Sequence, residues 1–368
     1  MTTLRRNRRN LPVEHIARFA VLGLLAIAVD PVSVRAQPYV YVTNYAANNA
    51  SVIDTVTNTV VARFAVGITP VGAAISPLGD LAYVTNINDQ TVSVVDTSTP
   101  TVTATVRVGP GPYGVAVTPG GDFAYVSNYN SNTVWVLNTA TRMVVAVVTV
   151  GDSPVGVAIT PDGNFAYVAN RLSDTVSVVC TATNTVVATV RVGRTPLGVA
   201  VSPTGDFAFV ANWNTDLSGT VSKIDTGTNE VVNTIAVGLG PSAVAVTANG
   251  RFAYVSAHGA NAVSAIDTAT NLVVATILVG AMPTWLALTP AGDFAYVTNY
   301  GSDTVSVIRT ATNTVVATVP GFAGPWGIDV TPDCALPIAP GSLMDTPPRA
   351  TSGDSRLSIP VPNGELIR

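Results

Sequence analysis

The chain carries little charge and few of the residue types that usually perform chemistry. Only 11% of its 368 residues are Asp, Glu, Lys or Arg, against about a quarter in an average domain. Lys223 is the single lysine, so the chain has no basic stripe for a nucleic acid backbone. With two histidines and two cysteines, it has no zinc-binding or haem-attachment motif. We therefore predict no metal and no cofactor, and free thiols at Cys180 and Cys334.

Long apolar runs are also missing. No stretch reaches 18 residues, so no membrane-spanning helix is predicted. Residues 1–36 combine six arginines, a short apolar core at 19–29 and a small-x-small site at 34–36, which predicts a secretory signal peptide. Without that segment, the chain has 12 basic and 20 acidic residues, a net charge of −8.

What the chain does have is a repeat. A six-residue phrase, Phe-Ala-Tyr-Val-Thr-Asn at Phe294–Asn299, occurs seven times with small changes. Its central aromatic falls at positions 41, 83, 125, 167, 209, 254 and 296, so the spacing is 42 in five of six intervals and 45 in the other. A constant period in this range indicates a repeat architecture.

One unit reads as four short strands. Residues 284–289 and 294–299 are strands joined by a Pro-Ala-Gly-Asp turn, and residues 304–308 and 314–319 follow beyond further polar turns. Such a sheet is apolar on both faces, so it must be packed between neighbours. We therefore predict an all-β, seven-bladed β-propeller over residues 37–334, with four antiparallel strands per blade.

The order of the strands predicts how the ring closes. The chain begins its first unit on a second strand and ends on a first strand, residues 327–332. These residues are predicted to complete the N-terminal blade, which leaves no open sheet edge at the junction. Residues 335–368 are rich in Pro, Ser, Thr and Gly and lack periodicity, which predicts a disordered tail.

The repeat resembles the YVTN family of β-propellers. Tyr-Val-Thr-Asn itself stands at Tyr41–Asn44, Tyr83–Asn86 and Tyr296–Asn299, and the accompanying Thr-Val-Ser-Val and Thr-Ala-Thr-Asn-Thr-Val-Val elements recur in order. The resemblance covers roughly residues 37–334. It implies an exported, periplasmic or extracellular or cell-surface protein of a prokaryote. It implies no single reaction, since related propellers include lyases, lactonases, redox proteins and binding modules.

A binding site is predicted on one face of the ring. The loops between second and third strands, and the crossings between blades, share that face and vary from unit to unit. Their aromatic and charged residues suggest a ligand site at the channel mouth. The predicted ligand-binding residues are Tyr113, Tyr129, Arg171, Arg194, Trp213, Trp285, Tyr300 and Trp326. The alternative, that these aromatics merely cover blade ends, stays open. The asparagine that ends each phrase is predicted to bond nearby backbone.

Catalytic residues are scarce. No catalytic set is predicted. The weak candidate is His258, the one histidine after residue 36, with Asp152, Asp174, Asp216 and Asp303 as the carboxylates of the same face. We therefore expect a monomeric binding, recognition or scaffold module for a protein, glycan or small-molecule ligand. A lactonase-like lyase or hydrolase with its site at the channel mouth is the alternative.

Overall fold

The computed structural model describes residues 38–214 and 219–333, which form seven four-stranded antiparallel sheets. The predicted signal peptide and C-terminal tail lie outside the described residues. Two single 3-10 turns, His258–Ala260 and Tyr300–Ser302, are the helical elements of the described part. None of its helices is long and apolar enough to cross a membrane.

Each sheet is one blade, and its four strands lie side by side in order from the axis to the outside of the ring. The innermost strands, in blade order 1 to 7, are β28 (Pro325–Val330), β4 (Pro70–Ile75), β8 (Pro112–Val117), β12 (Pro154–Ile159), β16 (Pro196–Val201), β20 (Pro241–Val246) and β24 (Pro283–Leu288). The second strands are β1 (Tyr39–Asn44), β5 (Leu81–Asn86), β9 (Phe123–Asn128), β13 (Phe165–Asn170), β17 (Phe207–Asn212), β21 (Phe252–Ala257) and β25 (Phe294–Asn299).

The two outer strands of each blade follow in the same order. The third strands are β2 (Asn49–Asp54), β6 (Thr91–Asp96), β10 (Thr133–Asn138), β14 (Thr175–Cys180), β18 (Gly219–Asp225), β22 (Ala262–Asp267) and β26 (Thr304–Arg309). The outermost strands are β3 (Thr59–Ala65), β7 (Thr101–Arg107), β11 (Met143–Thr149), β15 (Thr185–Arg191), β19 (Glu230–Val237), β23 (Leu272–Leu278) and β27 (Thr314–Pro320).

The predicted closure of the ring is confirmed. β28 pairs with β1 in the sheet order β28-β1-β2-β3, and β28 also packs against β4 and β24. The closing strand runs from Pro325 to Val330, two residues earlier than the predicted 327–332. The reason is its register: Pro325 lies opposite Asn44, and a bulge follows before Ile328 meets Val42. The same bulge recurs in the innermost strands of the other six blades.

Glycine is required where the innermost strands of blades 1 to 4 each approach the strand of the next blade. A Cβ at Gly72 would collide with the backbone carbonyl of Tyr113 in the next blade, and one at Gly327 would collide with that of Val71. Gly114 and Gly156 face the same obstacle. The close approach of these strands explains the small residues at this position.

The tyrosine of the repeated phrase connects neighbouring blades. Its hydroxyl donates to an asparagine side-chain oxygen in the turn between the third and fourth strands of the next blade, at 2.7–2.9 Å, in four pairs: Tyr125–Asn184, Tyr167–Asn229, Tyr254–Asn313 and Tyr296–Asn58. These asparagines adopt left-handed φ angles of 53–57°, which asparagine tolerates well. The Tyr296–Asn58 pair joins the last blade to the first.

Three boundaries between blades depart from this pattern. Tyr41 donates to the carbonyl of Thr97 instead. Phe209 has no hydroxyl, and Lys223 beside it donates to Asn271 Oδ1 at 3.3 Å and to a nearby backbone carbonyl at 2.8 Å. Tyr83 is buried and its hydroxyl has no hydrogen-bond partner.

The last two residues of the phrase are also structural. The threonine hydroxyl donates to a backbone carbonyl of the next innermost strand, as Thr298 does to Trp326 at 2.7 Å. The asparagine amide donates to a serine of the third strand, as Asn299 does to Ser306 at 2.9 Å. Its main partner is therefore a side chain and not the backbone that the sequence suggested. Only Asn128 donates to a local carbonyl, because Trp135 takes the place of that serine.

Candidate functional site

Seven residues ring the axis on the face that carries the variable loops. Each directly follows a second strand, and its backbone N–H donates to a carbonyl of the preceding blade crossing, as Tyr45 does to Gly324 and Trp213 does to Thr195. This repeated backbone hydrogen bond fixes the position of each residue's Cα atom at the axial face. The seven are Tyr45, Ile87, Tyr129, Arg171, Trp213, His258 and Tyr300.

Aromatic rings from this circle and from the innermost strands meet at the axis. We define the mouth cluster as Tyr45, Tyr113, Tyr129, Trp285, Tyr300 and Trp326. The ring centroid of Trp326 lies 5.7 Å from that of Tyr45 and 5.4 Å from that of Tyr300. The centroid of Tyr113 lies 6.1 Å from that of Trp285 and 6.3 Å from that of Tyr129.

The cluster fills the mouth. Tyr113, Tyr129 and Trp326 are 3–5% exposed, whereas Trp285 and Tyr300 are half-buried and present a surface to solvent. Below the cluster lies a cavity of about 70 Å³, walled by the innermost strands and roofed by Tyr113, Trp285 and Trp326. That volume holds a few water molecules and no organic ligand. A ligand on this face would therefore lie on or between the aromatic rings.

One cation is buried beside the cluster. Arg171 is 5% exposed, and its Nη1 donates to the Tyr129 hydroxyl at 2.8 Å. Its guanidinium carbon lies 5.8 Å from the centroid of the Tyr129 ring. Its Nε is buried and has no hydrogen-bond partner. The Trp326 indole N–H is likewise unpaired; it lies near the Tyr113 hydroxyl but without the geometry of a hydrogen bond.

His258 is poorly placed for acid–base chemistry. It is 9% exposed, and its ring lies 5.0 Å from the Trp213 ring. Burial lowers its pKa to about 4, and no charged group among the described residues contributes to that shift. The imidazole is therefore neutral at pH 7, and none of the described carboxylates orients it.

The described carboxylates of this face accept hydrogen bonds that hold the loops in place. Asp174 Oδ1 accepts the backbone N–H of Thr195 at 2.8 Å, and Asp303 Oδ1 accepts that of Gly324 at 2.8 Å. Asp152 Oδ1 accepts from an asparagine amide at 2.8 Å. Asp216 lies outside the described residues. Within residues 38–214 and 219–333, no group of three His, Cys, Asp or Glu side chains could hold a metal ion.

The structure brings together most of the predicted binding residues. Tyr113, Tyr129, Trp285, Tyr300 and Trp326 belong to the mouth cluster, Arg171 is bonded to it, and Trp213 packs at its edge against His258. Arg194 is exposed on a crossing, and within the described part of the chain no hydrogen bond or cation–π contact joins its side chain to these residues. The predicted ligand-binding set did not include Tyr45, although Tyr45 stands at the same repeat position as Tyr129 and Tyr300 on the variable face. That shared position was the available signal.

Fold and site together define a seven-bladed β-propeller whose axial mouth is closed by aromatic side chains. The family model described as "Lactonase, 7-bladed beta-propeller" matches residues 42–236 and 220–318. The chain therefore belongs to that family. No curated protein sequence matches it.

Solved structures share the fold. Hydrazine synthase of Kuenenia stuttgartiensis superposes with a TM-score of 0.67 at 24% identity, over 72% of this chain and 90% of that one. A functionally unknown protein from Desulfotomaculum acetoxidans DSM 771 gives 0.71 at 20% identity, over 80% and 99%. Dihydro-heme d1 dehydrogenase NirN in complex with DHE gives 0.59 at 17% identity, over 79% and 74%. At these identities the likeness extends to the fold alone.

Proposed function

We propose that this protein is an exported recognition module that binds its ligand at the mouth cluster. The observation that carries the proposal is the convergence of aromatic side chains from three blades around Trp326 and Tyr113. Flat apolar rings with polar tips suit a small molecule, a glycan or an exposed peptide side chain. The absence of an oriented acid–base pair at His258, among the described residues, favours binding over turnover.

The test is a ligand screen read by tryptophan fluorescence and calorimetry. Trp285→Ala removes a half-buried ring of the cluster and is expected to weaken any ligand found by at least tenfold. Trp135→Ala is the matched control, because Trp135 lies on the third strand of blade 3, outside the mouth cluster, and is also half-buried. Equal loss of binding in both variants, or none in Trp285→Ala, contradicts the proposed site.

A hydrolase acting on a lactone is the second candidate, and the family match favours it. In that case a panel of γ- and δ-lactones is hydrolysed above the buffer rate, and His258→Ala or Arg171→Met lowers kcat. The recognition proposal expects no turnover by the purified protein.

Export is part of the proposal. The basic start, apolar core and cleavage site of residues 1–36, together with the YVTN-like repeats, support a periplasmic or extracellular protein that acts as a monomer. N-terminal sequencing of protein recovered outside the cytoplasm is expected to begin at residue 37. Recovery of protein that still begins at residue 1 contradicts the proposed cleavage.

A further inference from the structure

Arg171 is a buried guanidinium, and none of the described residues supplies it with a counter-ion. Its one hydrogen bond goes to a neutral acceptor, the Tyr129 hydroxyl. Burial also keeps the nearby Tyr113 neutral, since it raises the pKa of that hydroxyl well above its usual range despite the attraction of Arg171. A buried charge without an ionic partner is costly and is rarely kept without a use.

The free edge of the guanidinium is the one that binds carboxylates. In arginine, Nε–H and Nη2–H are parallel and form a two-pronged donor for the two oxygens of a carboxylate. Nη1 is engaged by Tyr129, Nε is buried and unpaired, and Nη2 makes no hydrogen bond although it is not sealed from solvent. A ligand oxyanion at this edge would satisfy both donors.

The number of charges indicates a monoanion. His258 is uncharged at pH 7, and the exposed side chain of Arg194 makes no hydrogen bond or cation–π contact with the cluster among the described residues. Lys223 is held between blades 5 and 6 by Thr268 and Asn271. Arg171 is therefore the single positive charge that the mouth cluster offers among the described residues, which matches a carboxylate better than a phosphate dianion.

We propose that the mouth cluster binds a small monocarboxylate with a planar or apolar body, with its carboxylate on the Nε/Nη2 edge of Arg171 and its body against Trp285 and the neighbouring rings. This inference rests on the proposed binding function of the cluster. It adds the ligand class and the residue that selects it.

The experiment compares carboxylates with their uncharged twins. Benzoate, phenylacetate and hexanoate, the corresponding primary amides, and inorganic phosphate are titrated into the full-length protein at pH 7 and constant ionic strength. We expect at least one carboxylate to bind tenfold or more tightly than its amide and than phosphate. In Arg171→Met that carboxylate is expected to lose at least tenfold in affinity while the amide changes by less than threefold. Arg194→Met is the matched control and is expected to leave both affinities unchanged.

Each outcome decides the question. Amides that bind as well as carboxylates, tighter binding of phosphate, or no effect of Arg171→Met overturns the carboxylate inference and leaves the recognition function standing. Failure of every carboxylate to bind also overturns it, and the fluorescence screen with Trp285→Ala then judges the recognition function separately. If Arg171→Met does not fold, the carboxylate-to-amide ratio of the unaltered protein and the Arg171→Lys variant still decide, because lysine keeps the charge but lacks the two-pronged edge.

Discussion

Replacing Arg142 by asparagine is expected to stabilise the ring at the boundary between blades 2 and 3. At four other boundaries the buried tyrosine donates to an asparagine in the turn of the next blade. Here Arg142 holds that position, at a left-handed φ of 58°. The Tyr83 hydroxyl is left buried and unpaired, and burial raises its pKa; Thr139 lies near it without forming a hydrogen bond.

The expected gain follows from three contributions. A new hydrogen bond to a buried hydroxyl contributes about 1 kcal/mol. Asparagine in place of arginine at a left-handed φ contributes about 1 kcal/mol more. The lost contacts of Arg142 with Thr103, at 3.3 and 3.4 Å, are exposed and cost at most ~0.5 kcal/mol. The net stabilisation of about 1.5 kcal/mol corresponds to a rise in Tm of roughly 3 °C for a ring of this size.

Calorimetry and denaturant unfolding of Arg142→Asn, with Tyr83→Phe as partner, form a double-mutant cycle. Tyr83→Phe is expected to be nearly neutral in the original chain, because it removes an unpaired group, and to lose about 1 kcal/mol in the Arg142→Asn background. If Arg142→Asn stabilises the protein equally in the Tyr83→Phe background, or does not stabilise it at all, the hydrogen-bond argument is refuted.

Further predictions concern the closing boundary, the mouth and two titrating groups. Tyr296→Phe is expected to destabilise by about 1 kcal/mol, because it removes the bond between the last and first blades; chemical denaturation checks it against Tyr83→Phe. Arg171→Met is expected to raise the Tm of the ligand-free protein, because replacing a buried charge by an apolar chain of similar length is neutral or stabilising by ~1–2 kcal/mol; a fall of several degrees contradicts the buried-charge argument. Burial raises the pKa of Asp329 to about 6 from 3.8, so the native state binds the extra proton between about pH 4 and 6. The free energy of unfolding therefore falls as pH rises through that window, by at most ~3 kcal/mol for this half-buried side chain. Asp329→Asn is expected to raise the Tm at pH 7 but not at pH 4. Burial lowers the pKa of His258 to about 4 from 6.5, so the effect of this group on stability has the opposite sign. The free energy of unfolding falls as pH drops through that interval. His258→Gln is expected to flatten the dependence of Tm on pH between those two values.

Repetition made the architecture predictable. Seven copies of one phrase with a constant period, plus the count of first and second strands, were enough to place β28 beside β1. The two-residue error in the closing strand came from the bulge after Pro325, because strand periodicity does not show where an extra residue is accommodated. Sequence reasoning also did not predict that the Asn299 amide donates to Ser306 and not to the backbone, because this partner depends on the register between two strands.

The candidate site was only partly predictable for the same reason. The variable loops indicated which residues could meet, and Tyr113, Trp285 and Trp326 do meet. Spacing along the chain could not show that the mouth is filled by their rings, nor that Arg194 stays exposed.

By itself, the sequence determined the number of blades, the strand order and the face on which the loops vary, because these depend on local patterns repeated with a fixed period. The tertiary structure alone decided which side chains touch across blades. Tyr83 lacks a partner because the turn it faces in the next blade carries Arg142 where four other turns carry asparagine. Arg171 meets Tyr129 across 42 residues of chain and is buried with no counter-ion from the described residues, because burial and charge pairing arise only when seven blades close around one axis.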